Sequence, residues 1–170
     1  MKYGNQQKEM FAHAISEFLK NNYEKSLELL NQILEKDPNH RLALITRGTA
    51  HLKLNLADSA FSDFSRAISV DPSYPRAFHM RGVAHDILGN DDEALADFSK
   101  AIELDPGYGA AYYSRAALYA KMGKEESATD DIETVTHLTN YKIETFANEN
   151  NIWRSQHLRL ESIMETDLDR

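Results

Sequence analysis

Apolar and small residues return to one stripe of a helix again and again along this chain. Leu44, Gly48, His51 and Leu52 occupy places i, i+4, i+7 and i+8, and Ala60, Phe64, Ala67 and Ile68 do the same. That spacing follows the 3.6-residue turn and predicts two amphipathic helices in succession. Asn55 falls near the turn between them, and Gly89 near the next such turn. Asp71-Pro72 follows the second helix. Proline ends it there, because it lacks an amide donor and its ring collides with the preceding turn.

The pattern has a period. Asp37-Pro38, Asp71-Pro72 and Asp105-Pro106 recur every 34 residues, and Phe61–Pro72 is nearly copied by Leu95–Pro106. Arg47-Gly48 and Arg81-Gly82 keep the same interval. Each 34-residue unit therefore holds two helices, and one domain over 1–170 divides into units at about 7–40, 41–74, 75–108 and 109–142. Small residues at matched places (Gly48 with Ala60, Gly82 with Ala94, Ala116 with Ala128) let paired helices approach closely. Phe64, Phe98 and Ile132 fill the space beside them.

These places resemble the tetratricopeptide repeat family, whose pattern is an aromatic, Leu-Gly, Tyr, then Ala, Phe and Pro. Leu44, Phe78 and Tyr112 take the first aromatic place, Gly48, Gly82 and Ala116 the glycine place, and His51, His85 and Tyr119 the tyrosine place. The resemblance spans about residues 7–142. The first unit is degenerate: Met10, Ala14, Ser26, Leu30 and Ile33 keep the spacing, but Glu17 replaces the tyrosine. The resemblance implies an all-α fold, a right-handed superhelical stack of antiparallel helix hairpins with a concave inner face. Extending the frame starts a fifth unit at Ile143, which predicts a capping helix over about 143–166. In it Phe146 and Trp153 would pack against Ala128, Ile132 and Val135 of the preceding helix. Leu158, Leu160, Ile163 and Met164 would overhang.

The family leucine is arginine here in three units, Arg47, Arg81 and Arg115, each followed sixteen residues later by Asp63, Asp97 or Asp131. An antiparallel hairpin brings these places level, which predicts an Arg–Asp pair inside each hairpin. We expect the pairs to be only partly buried, so that losing an aspartate costs on the order of 1 kcal/mol.

Charge and chemistry narrow the function. With Lys+Arg 19 against Asp+Glu 27 the net charge is −8, unlike the clustered cations that bind nucleic acid or an anionic membrane. No stretch approaches the roughly 18 apolar residues of a membrane span. The start of the chain lacks a signal-like apolar run, so a cytoplasmic location is expected. There is no cysteine, and no phosphate loop or nucleophile motif occurs. His79, Met80 and Asp86 would make only a partial metal set. No cofactor and no catalysis are expected.

In the family the first helix of each unit lines the groove. The expected groove residues are Phe11 and Ile15, then Ile45, Thr49 and Leu52, then Arg76, His79 and Val83, then Tyr113 and Lys121. Lys8, Leu42, Asp86 and Ala117 lie on the same stripe. This lining is mainly apolar with a few cations and suits a protein or peptide partner with apolar anchors, bound helix-in-groove. Where the family's clamp for a chaperone C-terminus needs Lys, Asn and Arg, this chain has Phe11, Ile15, Thr46, Arg76 and Met80, and only Arg76 matches. The expected function is a non-catalytic interaction scaffold. Its alternative is a self-assembling protein whose groove and C-terminal helix form homo-oligomers.

Overall fold

The computed structural model describes residues 2–149. Among them the chain forms eight helices and no strand: α1 (Lys2–Leu19), α2 (Tyr23–Lys36), α3 (Arg41–Lys53), α4 (Ala57–Val70), α5 (Pro75–Ile87), α6 (Asp91–Leu104), α7 (Gly109–Lys121) and α8 (Glu125–Glu149). They pair as hairpins α1–α2, α3–α4, α5–α6 and α7–α8, and each hairpin packs on the next.

Turn chemistry sets the boundaries. Within the hairpins the chain reverses at Asn21, Asn55, Gly89 and Gly123, all at positive φ (63°, 59°, 79° and 73°) and all 34 residues apart. Asn and Gly are the residues that enter the left-handed region at least cost. Between hairpins, Asp37, Asp71 and Asp105 each accept a backbone amide two residues on, from Asn39, Ser73 and Gly107. This Asx geometry replaces helical bonding just where the proline forbids it.

The core is built from the small and large places together. Gly48 and Gly82 sit so close to Phe64 and Phe98 that an added Cβ would lie 2.5 and 2.6 Å from a ring carbon. Ala60, Ala67, Ala77, Ala84, Ala94 and Ala101 are fully buried. In the first unit Ser26 is equally buried and donates its hydroxyl to the Ala14 carbonyl at 2.9 Å.

The fourth unit departs from the frame. At the Asp-Pro place stand Thr139 and Asn140. No amide donor is lost there, so the helix runs on and α8 reaches 25 residues against 14 for α2, α4 and α6. This corrects the expectation that Phe146 begins a cap folded onto Ala128, Ile132 and Val135. Phe146 lies on the same rod as Ile132, fourteen places further along, about 21 Å away at 1.5 Å per residue. Trp153 and the expected overhang from Leu158 to Met164 lie outside the described residues.

Candidate functional site

One side of the stack is formed by α1, α3, α5 and α7, which touch in series, α1 with α3, α3 with α5 and α5 with α7. Among the described residues α2, α4 and α6 make no such contacts with one another. The side on which neighbours close up is the concave one, so the inner face belongs to the first helix of each hairpin.

The expected groove residues do not share one environment. Arg76, Tyr113 and Lys121 are exposed. Phe11, Ile15, Thr49, Leu52 and Val83 are half-buried. Two are closed off, contrary to the open lining expected: Ile45 is 3% exposed within the core, and His79 is 9% exposed. The cause is an aromatic residue at the start of the following hairpin. The His40 ring lies 5.3 Å from that of Phe11, Tyr74 packs on the cluster holding Ile45, and the Tyr108 ring lies 5.3 Å from that of His79. His40, Tyr74 and Tyr108 are themselves 34 residues apart, a signal that a search along the helix stripe alone overlooks.

The series breaks at the fourth unit. Tyr113 stands where Phe11, Ile45 and His79 stand, but the residue one period beyond Tyr108 is Lys142. Among the described residues no aromatic stands at that place, and Tyr113 is 62% exposed. A cleft of about 640 Å³ opens there between α5, α7 and α8, with Tyr108, Tyr113 and Val135 as its apolar surface and Ser114, Thr139 and Lys142 as polar edges.

His79 forms the floor of this cleft and is fixed from both sides. Its Nδ1 lies 3.1 Å from the Tyr108 hydroxyl and its Nε2 2.9 Å from Ser114 Oγ. Burial, and then the positive charge of Arg76, push its pKa down to about 4. The ring is therefore neutral at physiological pH, with one nitrogen donating and the other accepting. Burial likewise raises the Tyr108 pKa. Lys121, on the open side of α7, is engaged by Asp86 at 3.0 Å and Asp91 at 2.8 Å. Those hydrogen bonds, Asp91's the larger, raise its pKa.

The charged pairs form inside the hairpins. Arg81 grips Asp97 through Nε and Nη2, both at 2.7 Å, and Arg115 grips Asp131 through the same atoms at 2.8 Å. Arg47 holds Asp63 in the same way, with Nε contacts of 3.0 and 3.2 Å. Arg47 also donates to Asn31 and Arg115 to Ser99, tying each hairpin to the one before. The aspartates are buried rather than partly exposed, which raises the expected cost of losing one. His51 adds a second contact to Asp63 at 3.1 Å. With their charges committed to one another, these residues tie the hairpins together.

Two family models match the chain. One, described as tetratricopeptide repeat, covers residues 11–75, and a second, TPR repeat, covers 87–123. The chain belongs to the tetratricopeptide repeat family. None of the curated proteins matches it. Among solved structures, tetratricopeptide repeat proteins superpose well at low identity. A thermophilic TPR protein of Thermus thermophilus is 19% identical with a TM-score of 0.73, covering 79% of this chain and 75% of the other. MamA from Desulfovibrio magneticus RS-1 is 18% identical with a TM-score of 0.72, over 79% and 76%. The first TPR of Spaghetti (RPAP3), bound to an HSP90 peptide, is 21% identical with a TM-score of 0.66, over 70% and 94%. At these identities the likeness is one of fold. Among the described residues, no helix is long and apolar enough to cross a membrane.

Proposed function

We propose that this chain is a non-catalytic scaffold that holds a peptide or helix of a partner protein on its inner face, seated beside Tyr113. The observation that carries the reading is the break in the aromatic series. In the first three hairpins His40, Tyr74 or Tyr108 packs at or beside the corresponding place, and in the fourth, among the described residues, no aromatic stands there and Tyr113 is exposed. An exposed tyrosine above an apolar cleft can bury large area at little entropic cost and is a frequent anchor of binding. Arg76 and Lys142 offer cations at the edges, which suits a partner with an apolar anchor and acidic neighbours.

Tetratricopeptide repeats serve as polypeptide binders elsewhere, as in the RPAP3 domain with its HSP90 peptide. The occupant here differs from a chaperone C-terminus, because of the clamp residues only Arg76 is present. At those places Phe11 packs against the His40 ring in a tilted contact, and Thr46 donates its hydroxyl to the Leu42 carbonyl.

The test is selection of binding peptides from a displayed library, followed by calorimetry on variants. Tyr113→Glu should weaken the selected peptides about tenfold or more, a hot-spot effect, with helical circular dichroism unchanged. Arg66→Glu, on the exposed side of α4, should leave binding as it was. Equal binding by both variants would overturn the proposal.

A further inference from the structure

We propose that α8 is exchanged between two copies of this chain, its last turns from Tyr141 to Glu149 closing the α7–α8 face that the described residues leave open on the other. In the rest of the stack each outer helix is covered by the next inner one. Ala60 and Phe64 of α4 share a cluster with Ala77 and Ala84 of α5, and Ala94 and Phe98 of α6 pack with Leu118 of α7. Among the described residues α8 has no such cover. A cleft of about 360 Å³ remains on it, lined by Tyr113, Ala117, Ala120, Ala128 and Ile132. Ile132 is 43% exposed, whereas Phe64 and Phe98 at the same place are buried.

The repeat frame names the piece that belongs there. In the second hairpin Leu44 joins the cluster of Leu30 and Ile33 from the hairpin before. Three periods on, that relation puts residue 146 against residues 132 and 135. Because α8 is unbroken from Glu125 to Glu149, residue 146 cannot meet Ile132 of its own chain. It can meet the Ile132 of a second copy.

The geometry is then self-consistent. A two-fold axis that sets 132 of one copy against 146 of the other passes beside residue 139, where the other units have Asp-Pro and turn. Each copy buries the same patch, as an isologous interface requires, and exchange of an identical element is a low-cost route to it. The antiparallel register sets Glu133 level with Thr145, Thr134 with Glu144, and Thr136 with Lys142, so no like charges face each other. Tyr141 and Ile143, both exposed beyond the last packed turn, enter the contact. The exchanged face meets the proposed groove at Tyr113, Val135, Thr139 and Lys142, so a second copy and a groove partner would compete there; the disulfide and mass measurements read the state of the chain alone, without any peptide.

The chain has no cysteine, which permits a direct test. Full-length chains carrying Ile132→Cys and Phe146→Cys, on different tags, are co-expressed and oxidised. A disulfide joining the two tags is expected, together with a sedimentation mass of twice 19.4 kDa for the unmodified protein. Thr139→Asp with Asn140→Pro restores the turn of the other units and should give a monomer of unchanged helicity. A monomeric mass for the unmodified protein at tens of micromolar would overturn the proposal. So would a disulfide inside a single Ile132→Cys, Phe146→Cys chain, which would mean that the chain covers its own end.

Discussion

The close approach of α5 and α6 makes a quantitative prediction for Gly82→Ala. A methyl group there would lie 2.6 and 2.7 Å from Phe98 ring carbons and 3.2 Å from the Ala94 carbonyl oxygen. The ring is buried and the oxygen is backbone, so neither yields easily. Overpacking of this kind costs about 1–3 kcal/mol, while alanine in a helix gains about 1 kcal/mol over glycine. The clash lies well inside van der Waals contact, so it prevails, and a net loss of up to about 2 kcal/mol is expected. The fourth unit carries the natural compensation, with Ala116 at the glycine place and Ile132 at the phenylalanine place. Phe98→Ile alone should also destabilise, by about 1–3 kcal/mol, because it leaves unfilled volume. The double variant should recover at least about 0.5 kcal/mol of the summed loss, the coupling that touching residues show. Urea unfolding of the parent, both single variants and the double variant measures this, provided the slopes agree. Additive losses, or a Gly82→Ala variant as stable as the parent, would refute the assigned crossing.

Asp97→Ala should cost about 2–4 kcal/mol in the same assay, near the range for breaking a buried pair and reduced because Arg81 reaches solvent. For His79 the folded pKa, about 4, lies below its ordinary 6.5. The unfolded chain therefore binds a proton that the folded chain refuses, and stability falls as pH drops from about 6.5 to 4, by about 3 kcal/mol at most. His79→Gln should flatten that segment of the stability profile. Glu17 behaves oppositely in a lower window: hydrogen bonds from Asn22, then Lys20, hold its pKa down at about 2 against an ordinary 4.5. Its contribution is complete above pH 4.5 and lost as pH falls towards 2, so Glu17→Gln should be less stable than the parent at neutral pH and converge with it near pH 2.

How much of this is legible in the sequence follows from which interactions are local. The hairpins are, because Asp-Pro stops and the glycine and alanine places act within one 34-residue unit. The Arg–Asp pairs are too, since sixteen residues span a single turn of the chain. The closing of Ile45 and His79 is not, because it comes from residues one period later: His79 is held by Tyr108 and Ser114, 29 and 35 residues on. The loss of Asp-Pro at Thr139-Asn140 is visible as a substitution. Its consequence is hidden when the repeat frame is extended past the place where the local stop signal has gone.

The central claim is that a partner polypeptide lies on the inner face beside α7. A benzophenone attached to single cysteines at Ala110 or Arg76 on the inner side, and at Arg66 or Ser69 on α4, tests it most directly in a chain with no other cysteine. With a library-selected peptide bound, the account predicts photocrosslinks from the Ala110 and Arg76 positions and none above background from the α4 positions. Crosslinks from Arg66 or Ser69 alone, or equally from both sides, would contradict it.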